Sequence, residues 1–545
     1  MRLAVAQINP IVGDLEGNTH KILQFIKDAR SQNADIVIFP ELAICGYPPE
    51  DLLLHDDFID KMEACLKRIV KASSDLMVII GFVRRNPSSW EKPLYNSVAI
   101  IQDGKILGHY DKMLLPTYDV FDERRYFEAG SGVKTWEWDG KKIGVIICED
   151  IWQHSGLTDT SRYPRDPILE LLPHRPDLLI NISGSPYHFQ KPDVRVRVCG
   201  KASQTLNCPV VLCCQVGGND ELVFDGYSIC VDEKGNLRDV AKGFEEDLMI
   251  VDLDAPARTP SFHYDAQADL YQALVLGVRD YFHKQGFKKG CLGLSGGIDS
   301  ALVACIAADA LGKENVLAVG MPSRFSSEGS VRDSETLAKN LGIRFEVIAI
   351  EGAFKEYLKL LDPYFQGRPF DVTEENLQAR IRGMILMALS NKLGYIVMST
   401  GNKSEMGMGY CTLYGDMAGG LGVIADVLKT QVYELSRWIN REKEIIPQSI
   451  IDKAPSAELR ANQKDSDSLP EYNVLDAIIK AYVEEFLSAE EISKRNNLPV
   501  ELVTDIIKKI QRAEYKRRQA PPGIRVSKKS FRAGWRFPIV QKWLK

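Results

Sequence analysis

The sequence predicts an α/β protein built from two domains. Short apolar runs alternate with amphipathic, helix-length stretches along the whole chain. Its 545 residues exceed what one hydrophobic core serves comfortably. The rhythm also restarts near residue 260, just past the proline-bearing linker APARTPS.

In the first half, RLAVAQI, ADIVIF, LMVIIGF, KIGVIIC, LLINIS and CPVVLCC read as strands with helical stretches between them. The turn signals QDGK and DEKGN join further strand pairs, and LMIVDLD closes this half. In the second half YQALVLGVRDYFHKQG is helical, CLGLSGG is a buried strand entering a glycine turn, and SALVACIAADALG is a helix that a glycine ends. LAVGMP, RFEVIAI and YIVMST continue as strands separated by helices, the pattern of a Rossmann-like, parallel, doubly wound sheet. The boundary is placed between 258 and 259, giving domains 1–258 and 259–545.

Composition narrows the function classes. Hydrophobic residues make up 45% and charged residues 26%, which is globular and not disordered. A net charge of -6 speaks against a nucleic-acid or membrane-surface protein. The stretch 508–545 carries 13 Lys and Arg against one acid, Glu514. That surplus suits either a solvated basic tail or a basic lip over a phosphate-bearing substrate. The 11 cysteines form no CxxC pair, so a reducing compartment is expected and a disulfide or zinc framework is not. MRLAVAQINP enters a strand at once, and no apolar run approaches the roughly 18 residues of a membrane span. A cytoplasmic protein without a leader is expected. All histidines lie at or before His283, so the second domain must work with carboxylates, lysines, hydroxyls and backbone.

Three stretches of the first domain deliver a reactive group near an apolar run: Glu41 in VIFPELAICGY, Lys112 in GHYDKMLLP and Cys148 in GVIICEDIW. A thiol is a poor nucleophile until a base takes its proton, and a carboxylate can do so. A fixed lysine lowers the thiol pKa and stabilises an oxyanion during acyl transfer. With their flanking words and in this order, the three resemble the Glu–Lys–Cys triad of the nitrilase (carbon–nitrogen hydrolase) superfamily. The resemblance covers about residues 1–255 and implies an αββα sandwich that hydrolyses an amide through a thioester on Cys148. Glu41 would be the base and Lys112 the electrostatic support. It further implies that Tyr118, Glu123, Ser185 and Lys191 line the site and hold L-glutamine.

GLSGGIDS follows a strand and precedes a helix, the setting of a phosphate loop. Gly296 and Gly297 let backbone N–H groups approach oxygens, and Ser295 and Ser300 add hydroxyls. A Walker A loop would carry a lysine near its end, whereas here Asp299 stands there and could hold Mg2+ against a polyphosphate. SGGxDS resembles the PP-loop of ATP pyrophosphatases, which release pyrophosphate after AMP transfer.

The words TEENLQARIRGM, VMSTGNKSEMGMGYCTLYGDMAGGLGVIADVLKT and QRAEYKRRQAPPG resemble the synthetase domain of NAD synthetases. Joined to the first half, nearly the whole chain resembles the glutamine-dependent members of that family. The resemblance implies ATP-dependent amidation of deamido-NAD, giving NAD, AMP, pyrophosphate and glutamate. By matching position, Leu294, Ser295, Gly296, Gly297, Asp299, Ser300, Thr400 and Lys429 would bind ATP. Asn376, Arg380, Glu405 and Lys516 would bind deamido-NAD, Asp299 and Glu405 would share Mg2+, and Asp416 would belong to a mobile loop. A homo-oligomer is implied. Two separate sites pose a transfer problem, since free ammonia protonates in water and loses nucleophilicity, so a sheltered passage between Cys148 and the ATP site is expected. One stretch departs from the family: PSAELRANQKDSDSLPEY stands where PSAELRPGQTDEDSLPPY is expected, which puts a substrate contact at 461–464 in doubt. The competing reading is an amidase whose second half is a non-catalytic nucleotide-binding appendage.

Overall fold

The computed structural model describes residues 1–88, 91–157, 163–256, 264–532 and 534–543. It divides into two compact units, Met1–Asp269 and Leu270–Lys545. The boundary expected between 258 and 259 lies outside the described residues.

The first unit pairs two six-stranded sheets. One runs Asp247–Asp252, Arg2–Gln7, Ile36–Ile38, Met77–Arg85, Leu94–Gln102, Lys105–Asp111; the other runs Leu237–Val240, Ile229–Val231, Val210–Cys214, Leu178–Ser183, Lys141–Ile147, Thr135–Trp138. Strand alternation sorts the core into layers. Leu3, Val5, Ile36, Ile38 and Ile79 join a cluster with Ile143, Val145, Ile147 and Ile180 of the opposite sheet. Their neighbours Ala4, Ala6, Val37 and Val78 pack instead with Ile22 and Ile26 of helix Leu15–Ser31 and with Ile59 and Met62 of helix Asp56–Lys71. Helix Lys191–Leu206 covers the second sheet through Val198, Cys199 and Ala202. The result is the αββα sandwich expected of the nitrilase superfamily. QDGK and DEKGN form the hairpin connections the sequence signalled.

The second unit is built on a parallel sheet in the order Arg344–Val347, Val316–Gly320, Gly290–Gly293, Ile396–Ser399, Leu421–Gly422. Chain direction across the sheet reverses between Gly290–Gly293 and Ile396–Ser399. Connections leave those two strands on opposite sides and open a crevice at their carboxyl ends, the usual ligand position in such sheets. Helix Ile298–Leu311 is apolar on nearly every face because the sheet and its neighbours enclose it. A layer of helices formed by Tyr472–Ile479, Ala489–Asn496 and Val500–Arg512 shares its own core around Leu475, Ile492, Val503 and Ile507.

One glycine ties the first sheet to its functional end. A Cβ on Gly81, in strand Met77–Arg85, would sit 2.4 Å from the Leu42 amide nitrogen and 2.6 Å from the Pro40 carbonyl oxygen. Leu42 already has φ of 47°, so the turn around Glu41 has no slack. Gly81→Ala is expected to destabilise the first unit by about 1–3 kcal/mol, the usual cost of overpacking. A thermal unfolding midpoint equal to that of the unaltered chain would show that the turn yields freely.

Candidate active sites

Cys148 directly follows the buried strand Lys141–Ile147 and adopts φ of 44°. A left-handed conformation at a residue with a Cβ costs about 1–3 kcal/mol and persists only where neighbours enforce it. Asn181 enforces it. Its Oδ1 accepts from the Cys148 N–H at 2.7 Å, and its Nδ2 donates to the Cys148 carbonyl at 3.2 Å. Asp150 completes the brace by accepting from the N–H groups of Ile147 (3.0 Å) and Leu114 (2.8 Å) and from the Tyr110 hydroxyl (2.8 Å).

Around the sulfur, Ser183 Oγ donates to Cys148 Sγ at 3.3 Å. Burial, then the Glu41 charge, pushes the thiol well above its ordinary pKa, while Lys112 pulls the other way. Burial thus favours the protonated thiol, and attack by the sulfur calls for a base to take its proton. Glu41 is fully buried; Oε1 accepts from Lys112 Nζ and Asn96 Nδ2, both at 2.7 Å, and Oε2 accepts from the Gly184 N–H at 2.8 Å. Lys112 also donates to Glu123 Oε1 at 2.7 Å, and Tyr47 donates to that same oxygen at 2.8 Å. Burial works against the Lys112 ammonium, but Glu123 and Glu41 outweigh it and hold its pKa well above the usual value. Burial lifts Glu123 to about 7 against the pull of Lys112. One ammonium between two carboxylates can store and move a proton near neutrality.

The segment 183–186 touches the site at every residue. Ser183 meets the sulfur, Gly184 meets Glu41, and Lys191 Nζ donates to Ser185 Oγ at 2.5 Å and to the Pro186 carbonyl. Lys191 lies 5.6 Å above the Trp152 ring. Tyr118 donates to Glu149, the residue after Cys148, at 2.9 Å, and Tyr163 donates to it at 3.1 Å. Burial raises Glu149 to about 7. Tyr47, Asn96, Glu149 and Asn181 were not singled out from the sequence. The signal for two of them was there: an asparagine inside the otherwise apolar runs LLINIS and LYNSVAII.

In the second unit a cleft of about 460 Å3 opens beside the glycine turn and is lined by Leu294, Ser295, Gly297, Asp299, Ser300, Asn376, Thr400, Glu405, Asp416, Lys429 and Lys516, among others. The Leu294 N–H donates to the Val319 carbonyl at 2.9 Å, seating the turn on the neighbouring strand. Gly296 has φ of 78°, and a Cβ there would lie 2.6 Å from the Ser330 carbonyl oxygen. No other residue fits that position. Ser300 Oγ accepts from the Ser295 N–H at 3.2 Å and donates to the Gly297 carbonyl at 2.9 Å.

Asp299 accepts from Asn402 Nδ2 at 2.8 Å and from Lys429 Nζ, which also stands 3.6 Å from Glu405 Oε1. Burial opposes the Lys429 charge, yet Asp299 and Glu405 hold its pKa above the usual value. Burial and Asp299 push Glu405 up to about 8, with Lys429 opposing. Helix Lys403–Met408 carries Glu405, and Lys403 anchors it. The buried Lys403 ammonium donates to Glu484 (2.7 Å), Ser527 Oγ (2.7 Å) and the Lys529 carbonyl (2.9 Å), and pairs with Asp426 at 3.0 Å.

The remaining expected residues divide. Asn376 accepts from Thr412 Oγ1 at 2.7 Å, and the Asp416 carboxylate accepts from the Thr412 N–H at 2.7 Å. Lys516 donates to the Gly409 and Cys411 carbonyls at 2.7 and 2.8 Å. Arg380 is exposed, donates to the Leu413 carbonyl at 3.2 Å and is not among the lining residues. In the basic tail, Arg517 is buried against Glu514 at 3.0 Å, so part of that charge is structural. Asn462, in the departing stretch, has φ of 56°, a conformation asparagine tolerates better than most residues.

The carbon-nitrogen hydrolase family matches residues 2–260, and the NAD synthase family matches residues 270–520. A glutamine-dependent NAD(+) synthetase of Synechocystis sp. is 45% identical over 99% of this chain and 98% of its own length. One from Thermotoga maritima is 43% identical over 100% and 99%. The chain belongs to the glutamine-dependent NAD(+) synthetases. A solved structure of such an enzyme from Acinetobacter baumannii, in complex with adenosine diphosphate, is 40% identical, covers 99% of both chains and has a TM-score of 0.79. The αββα and Rossmann-like halves are thus those of a glutamine-dependent NAD(+) synthetase, and the reading of the second half as an inert appendage is not favoured.

For a member of this family, the hold of Asn181 on Cys148 should matter to one half-reaction only. Asn181→Asp keeps the side-chain size but cannot donate to the Cys148 carbonyl. It is expected to lower glutamine hydrolysis at least about tenfold, one charge-assisted or strained contact's worth. NAD formation from added ammonia should stay near the unaltered rate. Equal loss of both rates would remove the assigned role.

Proposed function

We propose that the chain amidates deamido-NAD to NAD with nitrogen taken from L-glutamine, while ATP becomes AMP and pyrophosphate. The observation that carries this reading is the presence, in one chain, of a braced cysteine with its own carboxylates and lysine and of a phosphate-loop cleft with a second such set. In the first site Glu41 accepts the Cys148 proton as the sulfur attacks the glutamine amide carbon. The proton passes to the departing nitrogen, ammonia leaves, and water then opens the thioester to release glutamate. Lys112 steadies the negative charge, and Glu123 shares it. Tyr118, Ser185 and Lys191 are the proposed contacts for the amino-acid end of glutamine.

In the second site the turn Ser295–Gly297 and Ser300 present N–H and hydroxyl donors to the ATP phosphates, with Gly296 giving the close approach, Leu294 and Thr400 at the nucleotide, and Lys429 adding charge. Asn376, Glu405 and Lys516, which line the cleft, are the proposed contacts for deamido-NAD, and Asp416 is the proposed loop residue over the site; Arg380 lies outside that lining and is not retained as a contact. Two carboxylates of Asp299 and Glu405, with water and phosphate oxygens for the remaining positions, suit Mg2+. The elevated Glu405 pKa supports this fit, because a carboxylate short of positive charge gains from a cation. Mg2+ there would neutralise phosphate charge as pyrophosphate departs.

Exposed apolar residues support a homo-oligomer. Tyr357, Leu360 and Tyr364 share one face of helix Glu351–Phe365, and Met384 and Met387 are exposed on helix Val372–Leu393. The cysteines are all unpaired, and among the described residues no helix is long and apolar enough to cross a membrane. Both facts support the cytoplasm as its place of action.

Cys148→Ala is expected to abolish NAD formation from glutamine and spare formation from ammonia. Asp299→Ala is expected to abolish NAD formation from either donor. Product analysis with labelled glutamine, ATP and deamido-NAD checks both, and release of ADP in place of AMP would sink the reaction proposed. Leu360→Glu should lower the mass seen by light scattering; an unchanged mass would place any assembly surface elsewhere.

A further inference from the structure

We propose that Arg382 is an anchoring residue for a substrate phosphate in the synthetase cleft. This rests on the function proposed above and adds a residue to it. Helix Val372–Leu393 turns Asn376, Ala379, Arg382, Gly383 and Leu386 toward the cleft, all of which line it. The spacing of three and four residues is that of one helical face. Arg380, two residues before, falls on the exposed side.

Arg382 is tied by one bond only. Its Nε donates to the Met321 carbonyl at 3.0 Å, just past strand Val316–Gly320, on which the glycine turn also rests. That bond fixes the plane of the guanidinium. Among the described residues its two terminal amines have no hydrogen-bond partner, and no carboxylate lies within ion-pair distance. The nearest acidic influence is Glu458, which is already engaged by Lys453 at 2.6 Å and Ser330 at 2.9 Å. Two buried guanidiniums of the chain are, by contrast, neutralised: Arg195 by Asp225 through two bonds of 2.7 Å, Arg517 by Glu514 at 3.0 Å.

A sequestered cation without a counter-charge is costly to the folded state. Here burial depresses the guanidinium pKa to about 10. An anion entering the cleft relieves that cost, and two parallel N–H donors in a fixed plane match phosphate oxygens. Both ATP and deamido-NAD carry phosphates, so the shared chemistry is a phosphate and the experiment separates its source.

The test uses ammonia-driven NAD formation by the full chain, with KM for ATP and for deamido-NAD measured separately. Arg382→Gln is expected to raise the KM of the substrate whose phosphate it holds by roughly 10- to 100-fold, the range for losing a charged hydrogen bond. The other KM should change less than twofold. Arg382→Lys, which keeps the charge and loses the fork, should recover part of the loss. Elevated KM for ATP assigns the ATP phosphates; elevated KM for deamido-NAD assigns the dinucleotide. If neither KM in Arg382→Gln moves more than twofold, or if both rise only in step with a lower melting temperature that Arg382→Lys restores without restoring KM selectively, the inference is overturned. An unaltered chain that forms no NAD from ammonia would instead overturn the parent function.

Discussion

A buried ammonium shared by two carboxylates organises each half of this chain. In the first unit Lys112 stands between Glu41 and Glu123; in the second, Lys429 stands between Asp299 and Glu405. Burying any of these charges alone would be prohibitive, and burying them together leaves each set one positive charge short when both acids ionise. Burial acts on one carboxyl of each set. In the first site it lifts Glu123 to about 7, with Lys112 opposing and Glu41 adding, where a carboxyl group can pass a proton in either direction. In the second, burial and then the Asp299 charge lift Glu405 to about 8, with Lys429 opposing.

Both sets need rigid supports, and the supports are polar groups buried in otherwise apolar elements. Asn181 reaches from strand Leu178–Ser183 to hold the backbone of Cys148, and Asn96 reaches from strand Leu94–Gln102 to Glu41. Asn402 caps helix Lys403–Met408 and bonds Asp299, while Lys403 ties that helix to residues near the carboxyl end of the chain. A buried polar side chain with all its bonds made permits one geometry and penalises others. The basic tail acquires a role in this way. Its segment 527–529 serves partly as the far wall against which the synthetase carboxylates are positioned.

The layered architecture explains why the reactive residues emerge where they do. Cys148 and Glu41 sit beyond the ends of strands Lys141–Ile147 and Ile36–Ile38, so packing on both sheet faces fixes their origin. The glycine turn and Thr400 leave the two parallel strands between which the second sheet reverses its order. At such ends the ladder holds the backbone while the side chain projects past the last paired residue, into a buried pocket around Cys148 and Glu41 and into the cleft beside the glycine turn.

Much of this was legible in the linear chain. Strand rhythm and the SGGIDS turn are local patterns, set by backbone sterics and by the period of burial, and they mark the chain as α/β with a phosphate turn. The αββα sandwich and the choice of Cys148, Glu41 and Lys112 rested on the resemblance of the words around those residues to a known family. Tyr47 was not legible, and Asn96 and Asn181 showed only as polar breaks in apolar runs, because the partners that give them a role lie tens of residues away and only folding brings them together. The word ARIR pointed to Arg380, whereas packing of helix Val372–Leu393 turned Arg382 toward the cleft and left Arg380 exposed. Local sequence determined which chemistry is available; tertiary packing decided which charges are buried without partners, since desolvation depends on neighbours that no short stretch of chain contains.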